Sequence, residues 1–157
     1  MNHKTTIIII LLVISLLASL LILKITYQQK IDKINQEKQL MITGYTEEIK
    51  NETNPNILIE SGLKQLENGQ PELAMISLKK AVTVEPNFRD GWLTLGLAQY
   101  TQKDYQAALT SFLAAEKIDP INAQTYHFLN LTYTKLKQKD LALIAQEKFV
   151  FLNKNQK

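Results

Sequence analysis

The sequence contains no cysteine, and its 157 residues include only five glycines, four prolines and two histidines. The absence of cysteine excludes a disulfide framework, a cysteine nucleophile, thiolate metal sites and a lipid attached through cysteine. His3 and His127 alone are poor material for a histidine zinc site or a catalytic triad. Glycine-rich phosphate loops and paired catalytic carboxylates are also missing from the sequence. We therefore expect no catalytic residues, no metal and no cofactor, and a protein that is not an enzyme.

The net charge of +3 gives little indication of a charged partner. Two of the basic residues, Lys4 and Lys24, flank an apolar run, and without them 16 basic residues stand against 15 acidic ones. A nearly neutral remainder lacks the basic face that nucleic acids require. We expect no nucleic-acid binding.

Residues 5–23 form an uncharged run that consists almost entirely of Ile, Leu, Val and Ala. As a helix the run is about 28 Å long, close to the hydrocarbon thickness of a bilayer. The sequence predicts a single-pass membrane protein, with a tail at 1–4 and a transmembrane helix at 5–23. A cleaved signal peptide is the alternative, but the run is longer than usual for one and no A-x-A-like cleavage site comes after it.

The flanking charges leave the orientation open. Lys4 lies on one side of the apolar run, and Lys24, Lys30, Lys33 and Lys38 lie on the other. The positive-inside rule then places the C-terminal part in the cytoplasm. A chain that begins with one basic residue and an apolar run nevertheless resembles a signal anchor, which exports the C-terminal remainder of its chain. We expect a bacterial inner membrane protein whose C-terminal part is exported.

Residues 24–54 are polar and predict a helical stalk that links the membrane segment to the next domain. Apolar residues within it recur at spacings of four and three, with defects at Lys38 and Glu48. The positions of this seam are Tyr27, Ile31, Ile34, Lys38, Met41, Tyr45 and Glu48. A solvated spacer and a weak self-associating coiled coil both fit the pattern, so a homo-oligomer stays open.

After Pro55 the sequence repeats at an interval of 34 residues. The matching positions are Leu58, Trp92 and Tyr126; Leu95 and Leu129; Gly62 and Gly96; Ala74, Ala108 and Ala142; Leu78 and Phe112; Ala81 and Ala115; and Pro86 and Pro120. This pattern resembles the tetratricopeptide repeat, and the copy from Trp92 to Pro120 matches best. Small residues at Gly62 and Gly96 suit positions where paired helices touch, and Pro86 and Pro120 suit the ends of repeats.

The resemblance implies an all-α fold, a right-handed α-solenoid of three helix pairs. The expected repeat domain covers 55–154, with repeats at 55–88, 89–122 and 123–156. The paired helices are expected at 55–68 with 71–84, 89–102 with 105–118, and 123–136 with 139–152. The transmembrane helix and the stalk precede this domain.

The resemblance also implies a partner-binding groove lined by the first helix of each repeat. Its expected positions here are Ile59, Leu63, Leu66, Asp90, Leu93, Leu97, Tyr100, Gln124, His127 and Leu131. Ile59, Leu63, Leu97 and Gln124 stand where the family's carboxylate clamp has basic or amide residues, so we expect no Hsp70- or Hsp90-type clamp. An apolar groove suits an amphipathic helix or an apolar extended peptide from another protein.

These features together predict a membrane-anchored interaction scaffold that resembles bacterial envelope assembly factors. Its mechanism is recruitment, since an anchored domain raises the local concentration of its partners. The alternative is a self-associating structural membrane protein that uses the stalk and the apolar C-terminus. That C-terminus, Phe149 to Leu152, either packs inward against the last helix pair or forms an exposed docking patch.

Overall fold

The computed structural model describes residues 2–155, and this part of the chain folds as seven α-helices. The helices are α1 (His3–Glu48), α2 (Pro55–Glu67), α3 (Pro71–Val84), α4 (Arg89–Thr101), α5 (Tyr105–Ile118), α6 (Ala123–Lys135) and α7 (Lys139–Asn155). The expected fold class, an all-α solenoid of three helix pairs with a long N-terminal helix, is confirmed. Met1 of the expected tail and Gln156 of the expected third repeat lie outside the described residues.

The chain divides into two compact units, one ending at Tyr45 and the other beginning at Thr46. The first unit is built by α1, which runs without interruption through both the apolar segment and most of the expected stalk. An 18-residue window of this helix has a mean hydropathy of 3.2, and none of the window is buried within the protein. By length and composition, α1 can cross a membrane. Tyr27, Ile34 and Met41 of the seam are all exposed.

Four of the six helix starts in the second unit, those of α2, α3, α5 and α6, are set by short polar side chains or by prolines. Asn54 accepts a hydrogen bond from the backbone N–H of Asn56 and precedes Pro55, the first residue of α2. Asp104 and Asn122 cap α5 and α6 in the same way, through bonds of 3.1 and 2.9 Å to backbone N–H groups. Such caps satisfy donors that have no partner within the helix.

The turn inside each repeat requires one residue with a positive φ angle. Gly69, Lys103 and Lys137 hold this position, with φ values of 69°, 63° and 61°. Glycine adopts the left-handed region without steric cost, whereas the two lysines adopt it at a cost of about 1–2 kcal/mol. The tight turn is therefore present in all three repeats, although only the first has glycine at this position.

Within the first two repeats, a glycine of the first helix lies against a large side chain of the second. A Cβ atom at Gly62 would lie 2.6 Å from Leu78 Cγ, and one at Gly96 would lie 2.5 Å from Phe112 Cε1. Leu78 and Phe112 are themselves fully buried. The close helix contact therefore needs glycine at both positions, because no heavier side chain fits beneath these groups.

A hydrogen bond from an aromatic residue joins the second and the third repeat to the proline that closes the repeat before it. Trp92 Nε1 donates to the Pro86 carbonyl at 2.8 Å, and the Tyr126 hydroxyl donates to the Pro120 carbonyl at 2.9 Å. The other small and apolar signature positions form the core. The buried ones are Leu58, Ala74, Ala81, Leu95, Ala108, Ala115, Leu129 and Ala142.

Candidate functional site

The ten expected groove positions lie on α2, α4 and α6, the first helices of the three repeats. Consecutive first helices contact each other, α2 with α4 and α4 with α6. Their exposed side chains therefore form one continuous surface across the second unit. The accessibility of each position decides which residues that surface can offer to a partner.

The structure corrects the expected groove at two positions, because Ile59 and Leu93 are buried. Ile59 retains 9% of its exposure and lies against α4, where a Cβ atom at Gly91 would be 3.8 Å from Ile59 Cδ1. Leu93 retains 7% and packs in the core with Tyr126 and Leu129 of the third repeat. Both side chains join one repeat to the next, so they hold the surface together without being available to a ligand.

Five of the apolar groove positions remain accessible along the first helices. Leu63 is 41% exposed, and Leu66, Leu97, Tyr100 and Leu131 are half-buried. The Tyr100 ring meets the Tyr105 ring edge-on, with centroids 5.2 Å apart. This stripe is a shallow apolar surface, which favours the apolar face of a helix over a charged peptide end.

The polar groove positions differ in how firmly they are held. Asp90 Oδ1 lies 2.5 Å from Arg89 Nη1, and the same guanidinium lies 3.7 Å from Asp119 through its Nε atom. The Asp90 carboxylate is therefore already paired on the protein and is a weak anchor for a basic ligand. Gln124 is exposed and has no such partner among the described residues.

His127 lies between aromatic rings at the last repeat. Its ring centroid is 5.6 Å from that of Phe128 and 5.2 Å from that of Phe149. Together with Gln124 and Asn153 it lines an open cleft of about 390 Å³. Phe149 thus packs inward, and so does Leu152, whereas Val150 and Phe151 are exposed. Each of the two expectations for the apolar C-terminus therefore applies to half of that segment.

Sequence reasoning missed a buried polar pair inside the second repeat. The Ser111 hydroxyl donates to Gln99 Oε1 at 2.6 Å, and both residues are buried between α4 and α5. Gln65 and Ser77 stand 34 residues earlier, so the pairing of Gln with Ser at this spacing was the available signal. A satisfied buried pair fixes the relative position of two helices, because an unsatisfied amide in the core is costly.

The surroundings of two tyrosines in the third repeat raise the pKa of their phenols. Burial raises the pKa of the Tyr126 phenol to about 12, and the neighbouring carboxylates of Glu116 and Asp119 act in the same direction. Burial and Glu116 also raise the pKa of Tyr133. Both phenols therefore stay protonated at neutral pH and serve as hydrogen-bond donors or packing groups.

The described residues hold no group of three or more His, Asp or Glu side chains that could bind a metal ion. Several of their polar side chains are engaged in capping and helix–helix bonds, such as those at Asn54, Gln99 and Asn122. The first helices of the repeats offer exposed side chains as a surface for contact.

The fold and the 34-residue repeat are those of an all-helical repeat protein that resembles the tetratricopeptide family. Residues 90–122 match the family model described as tetratricopeptide repeat. The second helix pair is thus similar in sequence to a tetratricopeptide repeat, and the fold resembles tetratricopeptide solenoids of known structure.

Two proteins called PEX5-related protein are similar in sequence. The one from Mus musculus is 26% identical over 105 residues, which are 62% of this chain and 18% of that protein. The one from Homo sapiens is 24% identical over 94 residues, which are 60% of this chain and 15% of that protein. The chain therefore spans less than a fifth of the length of these relatives.

Two solved structures illustrate the likeness in fold. A crystal structure of MamA has a TM-score of 0.64 and 28% identity, over 71% of this chain and 66% of that one. The second TPR of Spaghetti (RPAP3), bound to the HSP90 peptide SRMEEVD, has a TM-score of 0.62 and 15% identity. That match covers 68% of this chain and 98% of the other.

Proposed function

We propose that the protein is a membrane-anchored scaffold that binds a segment of another protein along the first helices of its repeats. The observation that carries this proposal is the row of accessible apolar side chains on α2, α4 and α6, a set that includes Leu63, Leu97 and Leu131. Exposed apolar stripes of this kind suit an amphipathic helix or an apolar extended peptide. The peptide-bound state of the Spaghetti repeat supports the same use of this fold.

The proposed ligand is not an acidic C-terminal peptide of the kind that a carboxylate clamp holds. The corresponding positions here carry Ile59, Leu63, Leu97 and Gln124. These side chains provide no positive charge to pair with a terminal carboxylate. Apolar contact therefore supplies the affinity.

The anchor in this proposal is the apolar part of α1. Residues 5–23 expose branched aliphatic side chains on every face of the helix, and each of Ile7 to Ile10 is about half exposed. A bilayer accommodates such a surface, whereas water does not. Recruitment by an anchored domain requires no catalysis, because proximity alone raises the rate of partner encounter.

We place the repeats on the exported face of a bacterial inner membrane, in the manner of an envelope assembly factor. Proteinase added to spheroplasts tests this placement, with a tag after Lys157 and a cytoplasmic protein as the control for lysis. Cleavage of the tag in intact spheroplasts is the expected result. A tag that is protected until detergent is added would instead place the repeats in the cytoplasm.

Site-specific photo-crosslinking in cells tests the binding surface. A photoreactive amino acid replaces Leu63, and the matched control replaces Leu113, which is 39% exposed against 41% for Leu63 but lies on the second helix of its repeat. We expect one discrete adduct at position 63, absent at 113, that is lost when Leu97 is changed to Asp. Equal adducts at both positions, or none at 63, would contradict the proposal.

Self-association is a second candidate, favoured by the part of the α1 seam that is exposed. Tyr27, Ile34 and Met41 are 66%, 50% and 52% exposed and follow heptad spacing. Replacement of Ile31 and Ile34 by Asp should convert a dimer in detergent into a monomer, while Leu40→Asp, at an exposed position off the seam, should not. A wild-type chain that sediments as a monomer at high concentration would exclude this candidate.

A further inference from the structure

The third repeat leaves open a face that the first two repeats cover. Leu109 retains 7% of its exposure because α6 packs over it, whereas Leu143, its equivalent 34 residues later, is 60% exposed. Val82 retains 8% and lies against α4, where a Cβ atom at Gly91 would be 3.2 Å from Val82 Cγ1. Val150, the equivalent of Val82 in the third repeat, is 52% exposed.

A cleft lies beside Leu143, where the second repeat has a filled core. In the second repeat, Phe112 covers Gly96 and stacks on Phe128 of the next repeat, with centroids 5.3 Å apart and planes at 9°. The corresponding residues of the third repeat are Asn130 and the exposed Gln146. They line a cleft of about 440 Å³ together with Ala142, Leu143, Thr134 and two lysines.

Positive charge surrounds this cleft. Lys137 and Lys139 belong to its lining, and Lys135 is on the preceding turn. None of these three ammonium groups pairs with a carboxylate in the part of the chain that the structure describes. Residues 121–157 hold six basic residues and two acidic ones, so the local field attracts a negatively charged partner.

We infer that this end face, defined by Leu143, Val150 and the cleft over Asn130 and Gln146, is a second docking site. Its occupant is a helix of a partner protein that carries an apolar stripe next to acidic residues. The helix sits on α6 and α7 as α6 sits on α4 and α5, and it places an apolar side chain in the cleft. Its carboxylates pair with Lys137 and Lys139 at the rim.

A second copy of the chain fits this face less well than an acidic partner helix. Two such faces in contact would bring the lysine clusters of both copies together, which is unfavourable. At the opposite end of the repeats, Ile49 is buried, and its carbonyl accepts a hydrogen bond from Lys80 Nζ at 2.5 Å. The Lys50 carbonyl accepts from the same ammonium group. The segment before α2 therefore already covers part of the first helix pair, where a head-to-tail copy would bind.

The test uses the full chain in lipid nanodiscs and two labelled, hydrocarbon-stapled peptides. Both peptides have the sequence of residues 123–136, the helix that covers the equivalent face of the second repeat. One peptide is extended by three Glu residues and the other by three Lys residues. Fluorescence polarisation should show saturable binding of the acidic peptide, about tenfold tighter than the basic one at low salt, with the difference narrowing as salt increases.

Matched variants locate the peptide on the protein. Leu143→Asp should weaken binding of the acidic peptide by about tenfold or more, the effect of one central apolar contact. Ile144→Asp should leave it unchanged, because Ile144 is also 60% exposed but lines a different cleft with Tyr126 and Lys148. Leu63→Asp should also leave it unchanged, so that failure of the groove proposal and failure of this one remain distinguishable.

Three results would overturn the inference. The first is an acidic peptide that does not saturate, and the second is equal affinity for the acidic and basic peptides. The third is a dimer of the wild-type chain, seen by sedimentation in nanodiscs or detergent, that Leu143→Asp dissociates and Ile144→Asp preserves. That last result would assign the face to a second copy of the chain.

Discussion

The second and third repeats share a backbone but differ in how their helices are held together. In the second, Gly96 brings the helices close and the buried Phe112 fills the contact. In the third, Asn130 stands in the place of the glycine, and its Nδ2 atom donates to the Ala142 carbonyl at 2.8 Å. Apolar packing in one repeat is thus replaced by a directed hydrogen bond in the next.

The comparison shows that a repeat depends on its neighbours as well as on its own signature. Phe112 is useful in the core because Phe128 of the next repeat covers it. Nothing among the described residues covers Gln146 in this way. Exposure to water costs an amide side chain less free energy than it costs a phenylalanine. The change from Phe112 to Gln146 therefore accompanies the loss of one packing partner.

The largest expected effect is on the free energy of unfolding, at the position that holds Phe112 in the second repeat and Gln146 in the third. Phe112→Ala should lower the free energy of unfolding by about 3–5 kcal/mol, because it leaves a cavity between two repeats. Gln146→Ala should change it by less than about 0.5 kcal/mol, as for other exposed positions. Denaturant unfolding of the full chain in detergent, followed by Trp92 fluorescence, measures both. Equal losses would mean that the third repeat is packed like the second.

A smaller effect on the free energy of unfolding is expected at the facing position of the first helices, Gly96 in α4 and Asn130 in α6. Gly96→Ala should destabilise the protein by about 2 kcal/mol, since its methyl group would overlap the Phe112 ring. Asn130→Ala removes one hydrogen bond and should cost about 1 kcal/mol. The double variant Gly96→Ala with Phe112→Leu should recover part of the loss. A neutral or stabilising effect of Gly96→Ala would contradict the close contact between α4 and α5.

The smallest expected effect is a pH dependence of the free energy of unfolding. It should distinguish the two hydrogen bonds that aromatic residues donate to proline carbonyls. Trp92 does not ionise, whereas Tyr126 has a pKa of about 12 in the folded protein and about 10 when unfolded. The folded state therefore binds the phenolic proton more tightly than the unfolded state. The contribution of this phenol to the free energy of unfolding is fully present below pH 10 and is lost as the pH rises from 10 to 12. The expected loss at pH 11 is about 1 kcal/mol.

Tyr126→Phe provides the control for this pH dependence. The variant lacks the phenol and should show a correspondingly shallower decrease in stability between pH 9 and pH 11, measured by denaturant unfolding. Tyr133, whose pKa is also raised, contributes in the same direction, so Tyr133→Phe should flatten the profile as well. A profile unchanged by Tyr126→Phe would contradict a buried, protonated Tyr126.

Much of the fold could be predicted because its determinants are local. The 34-residue spacing of small, aromatic and proline residues resembles the tetratricopeptide repeat, a resemblance that implied three helix pairs, and the structure has them. The change in composition between the apolar segment and the expected stalk has no counterpart in the backbone, since α1 passes through the first and most of the second. Replacing Leu and Ile by Gln and Lys alters the solvent that a helix prefers without interrupting its backbone hydrogen bonds.

The groove was harder to predict, because accessibility is a property of neighbours. Ile59 and Leu93 occupy the same repeat position as His127, yet the first two are buried and His127 is half-buried. A repeat pattern assigns all three the same role. Only the next helix in space decides whether the side chain is covered.

The sequence by itself determined the helices, their caps and turns, and the apolar segment at the N-terminus, because these depend on residues within a few positions of one another. The tertiary structure alone decided that Ile59 and Leu93 are packing residues, that Asn130 bonds to the Ala142 carbonyl, and that Leu143 is uncovered. Those outcomes depend on contacts between residues distant in the chain. Such contacts form only when the helix pairs stack, so periodicity along the sequence does not specify them.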